Sequence, residues 1–415
     1  MKKGLNILCA STNRFPIRHS FLEEVLCRGL TGRGHRVTWM LQTDDLHPGF
    51  EQKTWLGCKV WLMPSRPHSS IANRLCNFLR KPIDLTRILQ RIIELEGAPD
   101  VIQVRNDWLV ACWALIVRRR YKSLVVFQYS FPIPQEHFEH ARTARGLPAL
   151  LHVIRGYLEW ASLKFVMQHA DHILPISNSM KTSLIQSGID PGKMTPFPLG
   201  ITIEQKKRNV RGNDARNALG LRLTEPVVIY FGSLSKFRNL DFLLETMKMV
   251  VKNLPSARLI ILGGTRAEVD SLQEKSNQLG LGKTVIFREK VSREEVPYFI
   301  NAANAGVSPI PPIPMYVNSY PTKLIETLAA GKPVVANNEI VEQELVIKES
   351  GGGLCVPYNA TAFSQALIKL LSKPSLAREM GADGLKYVNE HNSYARMTIE
   401  LENLYFRLQR ERPTK

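Results

Sequence analysis

The chain of 415 residues lacks any long uncharged apolar run. Its longest such run, Trp108 to Val117, has ten residues and ends at Arg118-Arg119-Arg120, whereas a membrane-spanning helix needs about 18 or more. The apolar stretch after Met1-Lys2-Lys3 is too short for a secretory signal. We therefore expect a cytoplasmic protein without membrane spans.

Cysteine pairs and the common nucleotide-binding motifs are missing as well. The six cysteines include no Cys-x-x-Cys pair, which argues against a zinc knuckle and a disulfide scaffold and favours reduced thiols. Gly-x-Gly-x-x-Gly and Gly-x-x-x-x-Gly-Lys-Ser/Thr are absent, which disfavours nicotinamide enzymes and P-loop phosphotransferases. No Asp-x-Asp pair is present to chelate a metal–diphosphate. We expect no metal and no cofactor, so cations and helix ends would have to hold any diphosphate.

The chain is also short of acidic residues. It has 55 Lys and Arg against 37 Asp and Glu, which gives a formal net charge of +18. Residues 1–200 contain 26 basic and 15 acidic residues, so the excess leans toward the N-terminal half. A basic surface favours nucleic acid, anionic lipid or phosphorylated substrates, and charge alone does not separate these.

Strand-like apolar runs alternate with helical periodicity along the chain. In the first half the runs begin at Leu5, Val37, Val101, Leu124 and Ile173. In the second half they begin at Val227, Leu259, Thr284, Ala305 and Pro333. Between the halves, Glu204 to Asn217 is rich in charge and poor in large apolar residues. The pattern predicts two separately wound α/β domains, each a parallel sheet covered on both faces, joined by a linker.

Two loops of the second half are candidates for anion binding, because open α/β sheets bind ligands beyond the carboxyl ends of their strands. Gly232 to Arg238 follows a strand and precedes a helix, which brings Lys236 and Arg238 to that edge, unless both are solvated loop charges. Asn318 to Glu326 is expected to be a turn entering a helix, with Pro321 at the first helical position and free N–H groups beside it. Glu326 either interacts with the helix dipole or accepts hydroxyl hydrogen bonds from a ribose.

These segments resemble the donor-site signature of a known family. Pro321-x-Lys323-x-x-Glu326, followed by Ala329-Ala330-Gly331-Lys332-Pro333, is similar to that of the family-four retaining glycosyltransferases. Further similar segments are Asp171 to Ser179, Pro198 to Ile201, Gly351 to Pro357 and Met380 to Val388. The opening, from Phe15-Pro16 to Val37, resembles members that build exopolysaccharide or lipopolysaccharide.

The resemblance implies the GT-B fold, which consists of two Rossmann-like, doubly wound parallel-sheet domains facing a cleft. We expect residues 1–203 to form the acceptor-binding domain and residues 218–385 the nucleotide-sugar donor domain. Residues 386–415 are expected to be a helical segment that packs back on the first domain.

The resemblance implies a role for individual residues that occupy the family's motif positions. Arg238 matches the cation that binds the donor diphosphate, and Glu326 matches the second glutamate of Glu-x7-Glu, which contacts the donor ribose. The first glutamate falls on Asn318. The family's arginine after the glycine falls on Ser233; either Lys236 compensates for it, or this protein binds its donor more weakly. The predicted catalytic residues are Arg238, Lys236, Glu326 and Asn318, and the predicted donor-binding residues are Gly232, Ser233, Ser319, Tyr320, Pro321, Thr322 and Lys323.

The first half offers acceptor-side candidates. Many family members place a histidine at the end of the strand that here is Leu124 to Gln128, but this sequence has Tyr129-Ser130-Phe131-Pro132 instead. The candidates are Arg14, Arg18, His19, Asn106, Asp107, Ser130 and Ser177. For Asn106 and Asp107, a helix N-cap before Leu109 is an equal alternative. His137 and His140 have the helical spacing of metal ligands but no identifiable third ligand, so we interpret them as solvated helix residues.

Two helical stretches of the first half bear on membranes. Ser69 to Lys81 places Ile71, Leu75, Phe78 and Leu79 on one face beside Arg74, Arg80 and Lys81, a pattern typical of an interfacial helix on an anionic bilayer. Leu147 to Met167 is strongly apolar, and we expect it to be mostly buried on the sheet. An anionic membrane surface is therefore a further expected partner, at the inner face of the cell membrane.

The predicted function is transfer of a sugar from a nucleotide-diphosphate donor, UDP more than GDP, to a glycan or lipid-linked acceptor with retention. The protein would be a hexosyltransferase-type enzyme of cell-surface polysaccharide or glycolipid synthesis. One alternative is another GT-B enzyme, such as a nucleotide-sugar epimerase. The other is a non-catalytic basic binding protein, although no recognition helix, zinc site or aromatic-rich RNA motif supports nucleic acid as its partner.

Overall fold

The computed structural model of the protein describes residues 4–17, 19–43, 49–64, 71–202 and 212–412, without the side chains of residues 12, 71–80, 82, 212 and 213. The chain forms two compact units. Unit 1 combines Met1–Pro198 with Tyr394–Lys415, and unit 2 is Leu199–Ser393. Arg18, most of the expected linker, and the side chains of the expected membrane helix at Ser69 to Lys81 lie outside the described residues.

Unit 1 contains a seven-stranded sheet in the order β3-β4-β2-β1-β5-β6-β7. Its strands are β1 (Asn6–Phe15), β2 (Arg36–Thr43), β3 (Glu51–Trp55), β4 (Cys58–Leu62), β5 (Val101–Arg105), β6 (Leu124–Tyr129) and β7 (His172–Pro175). Its first six helices are α1 (the π-helical segment Leu22–Gly29, continued by the α-helical turn Leu30–Gly32), α2 (Ile71–Glu96), α3 (Trp108–Tyr121), α4 (Ile133–Thr143), α5 (Leu147–His169) and α6 (Asn178–Gln186). Every residue of β6 is buried, as expected for a strand covered on both faces.

The β3–β4 hairpin departs from the expected all-parallel sheet. Strand β3 pairs antiparallel with β4 at the edge of the sheet. The turn residues Leu56 and Gly57 have φ of 49° and 79°, which suits a two-residue hairpin turn. The sequence did not predict β3 because its mostly polar residues are only half-buried at an edge.

Unit 2 contains a six-stranded parallel sheet in the order β10-β9-β8-β11-β12-β13. Its strands are β8 (Val227–Phe231), β9 (Arg258–Leu262), β10 (Val285–Arg288), β11 (Ala305–Ser308), β12 (Val334–Asn337) and β13 (Gly353–Val356). Its helices are α7 (Gly212–Ala218), α8 (Asp241–Asn253), α9 (Arg266–Gln278), α10 (Val296–Ala302), α11 (Thr322–Ala329), α12 (Val341–Ser350), α13 (Ala360–Ser372) and α14 (Pro374–His391).

The last helix, α15 (Tyr394–Glu411), belongs to unit 1. Glu402 accepts from Arg33 Nη2 over 2.6 Å and lies 2.8 Å from His35 Nε2, and the Tyr405 hydroxyl donates to Gln103. The return to unit 1 starts at Tyr394 rather than at the expected residue 386, because residues up to His391 continue helix α14.

Each sheet has one point where successive connections leave in opposite directions. In unit 1 this switch lies between β1 and β5, and in unit 2 between β8 and β11. Helices leave a crevice at such a point, beyond the carboxyl ends of the two strands, where open α/β sheets bind ligands.

Helix α5 is more exposed than its composition predicted. Gly156, Leu163, Val166 and Met167 are buried on its inner side. Seven large apolar side chains are 46–67% exposed on its outer side: Leu147, Leu150, Leu151, Ile154, Tyr157, Leu158 and Phe165. The expectation of a mostly buried helix was wrong, because apolar composition does not reveal whether a second layer covers the outer face.

Candidate functional site

Helix α11 brings its N-terminus to the carboxyl edge of the second sheet. The helix begins at Thr322, and Pro321 is its N-cap, with φ −84° and ψ 71°. This non-helical ψ places proline just before the first helical position, not in it as expected. Amide groups in the first turn of a helix have no acceptor within the helix, and they lie at the positive end of its dipole. Anions bind readily at such an end.

Gly232 and Lys323 occupy adjacent space at the end of β8. Gly232 has φ 139°, a value that residues with side chains rarely adopt. A Cβ atom at this position would overlap Cε of Lys323. The lysine side chain therefore crosses the strand end, and only glycine leaves room for it.

Arg238 lies at the same edge. It ends the short turn Lys236–Arg238, and its Cζ atom is 4.1 Å from the centroid of the Tyr316 ring, a favourable cation–π arrangement. Its Nε atom is buried without a hydrogen-bond partner. Together with Lys323 it lines a pocket whose other lining residues are Tyr230, Ser308, Pro309, Ile310, Ser319, Tyr320, Pro321 and Thr322.

The two cations of this pocket form no ion pair with a carboxylate of the described residues. No acidic oxygen of the described residues lies within 4.0 Å of the Arg238 or Lys323 side-chain nitrogens. Burial and the positive charge of Arg238 lower the pKa of Lys323 to about 8, while Glu326 acts in the opposite direction. Burial raises the pKa of Glu326, against the influence of Lys323 and Arg293. A bound anion would stabilise both cations.

Other predicted donor-side residues lie around this pocket rather than in its lining. Lys236 and Ser233 are exposed, and Asn318 is partly buried. The Ser233 carbonyl accepts a hydrogen bond from the Tyr230 hydroxyl over 2.8 Å. The Tyr320 hydroxyl, although Tyr320 lines the pocket, accepts from Asn392 Nδ2 over 2.6 Å. Of the two predicted cations, Arg238 therefore reaches the pocket and Lys236 does not.

Asn337 at the end of β12 is a positioning residue that sequence reasoning missed. Its Oδ1 accepts from Ile310 N over 2.9 Å, and its Nδ2 donates to Ile310 O over 3.0 Å. Gln343 Nε2 donates to the same Oδ1 over 3.0 Å. These bonds hold the loop after β11 against the pocket. An amide residue directly after an apolar strand was the only available signal.

Several acceptor-side candidates in unit 1 make structural hydrogen bonds. Asn106 Nδ2 donates to Ser130 Oγ over 3.0 Å, and Ser130 N donates to Asn106 Oδ1 over 2.9 Å, which ties the ends of β5 and β6 together. Asp107 caps α3 by accepting from Leu109 N and Val110 N, both at 3.1 Å. Ser177 caps α6. The N-cap interpretation holds for Asp107.

A second cation that the sequence did not single out lies at the switch point of unit 1. Arg105, the last residue of β5, donates from Nη1 to Asn13 Oδ1 over 2.9 Å. Its Nη2 lies 3.1 Å from His19 Nε2. His19 is thus brought to this edge, whereas the predicted Arg14 is exposed. The signal in the sequence was a basic residue ending an apolar strand.

His137 is paired with neighbours on α5. Its Nδ1 lies 3.4 Å from His152 Nδ1, and its Nε2 lies 3.2 Å from Glu159 Oε2. His140 stacks on His152 with ring centroids 5.3 Å apart. Within the described parts of the chain, no group of three or more His, Cys, Asp or Glu residues is arranged to hold a metal ion. These histidines pack α4 on α5. They are not simply solvated, as the sequence had suggested.

No helix in the described residues is long and apolar enough to cross a bilayer.

Both units match known family models. The Glycosyl transferase 4-like domain model matches residues 24–200, and the Glycosyl transferases group 1 model matches residues 213–387. Among curated relatives, D-inositol 3-phosphate glycosyltransferase of Mycobacterium marinum is 29% identical over 176 residues, which are 41% of this chain and 36% of the relative. The Streptomyces griseus relative of the same name is 26% identical over 210 residues, 48% of this chain and 43% of the relative. The match therefore spans less than half the length of either relative.

Solved structures share the fold over nearly the whole chain. Sucrose-phosphate synthase from Thermosynechococcus elongatus has a TM-score of 0.76 at 20% identity and covers 98% of this chain and 100% of its own. HepE of Anabaena, solved in complex with UDP, has a TM-score of 0.72 at 14% identity and covers 96% and 99%. At these identities the likeness establishes the fold alone. The expectation of a GT-B fold with two Rossmann-like parallel-sheet domains is confirmed.

Proposed function

The chain belongs to the group 1 glycosyltransferases, and we propose that it transfers a sugar from a nucleotide-diphosphate-sugar donor to an acceptor hydroxyl with retention of configuration. The observation that carries the proposal is the pair Arg238 and Lys323. Both cations lie at the switch point of the second sheet, beside the N-terminus of α11, and no acidic oxygen of the described residues lies within 4.0 Å of their side-chain nitrogens. A diphosphate supplies the charge that this pocket lacks.

The chemistry suits such a pocket. When the bond between the sugar carbon and the diphosphate oxygen breaks, negative charge grows on the leaving nucleoside diphosphate. Fixed cations and helix N–H groups stabilise that charge without reorganising. The acceptor oxygen forms the new bond to the sugar carbon on the same face, and its proton passes to the leaving diphosphate. No carboxylate nucleophile and no metal is required, and we assign none.

The donor is proposed to be a UDP-sugar, with GDP as the less favoured nucleotide. Support comes from HepE of Anabaena, whose structures contain UDP and UDP-glucose. Glu326, one turn into α11, is proposed to accept hydrogen bonds from the donor ribose. Transfer of a hexose in cell-surface polysaccharide or glycolipid synthesis remains part of the proposal.

A thermal-shift screen with UDP, GDP and their sugars tests the donor, because a ligand that binds only the folded state raises its stability. UDP and at least one UDP-sugar are expected to raise Tm. If neither UDP nor GDP does so, the donor proposal fails. Conversion of the donor without any acceptor would indicate the epimerase alternative. Salt-sensitive DNA or RNA binding without a nucleotide shift would indicate the basic binding protein, which the family match does not favour.

We also propose that the protein contacts an anionic membrane surface from its cytoplasmic side, through the outer face of α5. The stripe from Leu147 to Phe165 covers 19 residues, about 27 Å of helix, and the seven exposed apolar residues of α5 lie along it. Arg155 and Lys164 flank it on either side, and Arg145 precedes it. The only acidic residue of α5, Glu159, lies on the inner side against His137. Apolar residues flanked by cations fit the interface of an anionic bilayer.

A further inference from the structure

Arg105 is a partly buried cation with too few partners. Its guanidinium makes one hydrogen bond to a neutral amide, Asn13 Oδ1, and one contact with His19 Nε2. Its Nε atom is buried and has no hydrogen-bond partner. No carboxylate of the described residues lies within ion-pairing distance of it. Burial lowers the pKa of Arg105 to about 10, so at neutral pH the protein holds a charged group that no carboxylate of the described residues neutralises, at a cost in stability.

The same protein shows what a structural buried arginine looks like. Arg216 in unit 2 donates from Nη1 to the carbonyl oxygens of Arg222, Leu223 and Glu225, at 2.8–3.2 Å. Its Nη2 donates to Asn304 Oδ1 over 2.8 Å. Those bonds hold a loop in place and use most of its donors. Arg105 has no comparable set, so a purely structural role does not account for it.

The position of Arg105 is that of a ligand-binding residue. It ends β5 beside β1, at the switch point of the first sheet. The donor pocket, with Arg238 and Lys323, occupies the corresponding switch point of the second sheet between β8 and β11. The side chain of Arg105 is only partly enclosed, since the residue retains intermediate exposure. In each sheet, cations that form no ion pair among the described residues thus lie where the topology leaves a crevice.

We propose that Arg105 binds an anionic oxygen group, a phosphate or carboxylate, that the acceptor carries in addition to its reacting hydroxyl. This inference rests on the proposed glycosyltransferase function, because it assigns the chemical class of the second substrate. A guanidinium offers parallel N–H donors that match the oxygens of phosphate and carboxylate. Asn13 and His19 hold the guanidinium in place without neutralising it, which leaves its charge for the substrate.

A stability measurement separates this role from a structural one. Replacement of Arg105 by Met keeps the length of the side chain and removes the buried charge, so the variant is expected to unfold at the same or a higher Tm than the parent. Arg216→Met, the matched control, should lower Tm because it leaves several carbonyl groups without donors. A large fall in Tm for Arg105→Met would assign Arg105 to the structure and overturn the proposal.

A binding measurement tests the ligand itself. With UDP present at saturation to occupy Arg238 and Lys323, inorganic phosphate is added and Tm is recorded. Phosphate is expected to raise the Tm of the parent and of Arg119→Gln, a control at an exposed arginine of α3. Arg105→Gln should weaken phosphate binding by about tenfold or more, and Arg105→Lys by less, since lysine retains the charge but not the paired donors. No phosphate response in the parent, or equal responses in all variants, overturns the proposal.

Two further experiments are needed. The first identifies the molecule that carries the anionic group, and the second distinguishes failure of the Arg105 proposal from failure of the proposed glycosyltransferase function. A soluble sugar phosphate and vesicles containing a long-chain lipid phosphate are compared in the parent and in Arg105→Gln, and the better ligand gives the source. If UDP does not bind, the proposed function fails. The phosphate series is then repeated in a variant with Arg238→Ala and Lys323→Ala, in which a response can no longer come from the pocket in unit 2.

Discussion

The side chain of Lys323 passes through the space that a Cβ atom at Gly232 would fill. Gly232 and Lys323 are 91 positions apart in the sequence. The lysine side chain can lie in this position only because residue 232 has no Cβ atom. This relationship joins the loop after β8 to the first turn of α11, the two segments that carry the candidate donor site.

Substitution of Gly232 by Ala is therefore expected to damage donor binding more than folding. The added Cβ displaces Lys323, and the φ of 139° adds strain of about 1–2 kcal/mol. UDP affinity, measured by calorimetry, should fall by about tenfold or more. Gly280→Ala is the matched control, since Gly280 also has positive φ but no atom within 4 Å of its added Cβ. Equal effects of both substitutions on UDP affinity would show that strain alone matters.

Replacement of Arg238 by Ala should weaken UDP binding by about 2–5 kcal/mol, the range for losing one partner of a charged pair in an enclosed site. The circular dichroism spectrum should not change. Arg378→Ala, at an exposed arginine of α14, is the control and should bind UDP as the parent does. If Arg238→Ala also binds UDP as the parent does, Arg238 does not contact the diphosphate.

Glu326→Gln tests the ribose contact. The variant should lose much more affinity for UDP than for its 2′,3′-dideoxy analogue, because only UDP has hydroxyl groups that donate to the carboxylate. Both affinities are measured by calorimetry in the parent and the variant. Equal losses for the two nucleotides would mean that Glu326 acts through the dipole of α11 or through stability.

The pKa of Lys323 predicts proton uptake on binding. In the free protein the pKa of the ammonium group is about 8, below the ordinary value of 10.5, so half of it has lost its proton near pH 8. A bound diphosphate favours the charged form, so UDP binding between pH 8 and 9 should take up protons and weaken as pH rises. Calorimetry in buffers of different ionisation enthalpy measures the uptake, and Lys323→Met should abolish it. Unchanged uptake in that variant would assign the proton to another group.

The same shift affects folding. Between pH 8 and 10.5 the unfolded chain holds more protons at this position than the folded protein, so the contribution of Lys323 to stability should increase with pH across that range. Lys323→Met should flatten this part of the curve of unfolding free energy against pH. An unaltered curve would mean that the folded protein does not depress the pKa of Lys323.

The outer face of α5 predicts sedimentation with anionic vesicles and little binding to neutral ones. Leu151→Ser combined with Leu158→Ser should reduce this binding by tenfold or more, since each buried leucine contributes about 1.5–3 kcal/mol. Leu223→Ser with Val341→Ser, at residues 61% and 55% exposed in unit 2, is the control pair. Replacing Arg155 and Lys164 by Gln should reduce the preference for anionic lipid.

Absence of vesicle binding in the parent would contradict the membrane proposal. If analytical ultracentrifugation then shows a dimer that the α5 substitutions dissociate, a second copy of the chain covers this face.

Local patterns in the sequence were sufficient for much of the fold and for part of the site. Strands that end in glycine are predicted from two short apolar runs, Val227 to Gly232 and Leu259 to Gly264, because buried parallel strands are short, continuous apolar runs. Pro321, Lys323 and Glu326 predict a helix start near an anion, since the relevant groups lie within two turns of one another. At these positions, residues close in the sequence largely determine burial, hydrogen bonding and backbone direction.

Only the tertiary structure decided which charged side chains lack an ion-pair partner and which apolar helix faces have no other element packed on them. Arg105 meets Asn13 and His19 across 92 and 86 positions of sequence, so no local pattern could show that it finds no carboxylate. Lys236 and Arg238 are two residues apart, but only Arg238 lines the pocket. The composition of α5 resembles that of a buried helix, and its outer face is exposed because no other described element packs over it. Charge compensation and burial depend on distant segments meeting in space, and that meeting is set by the packing of the whole domain.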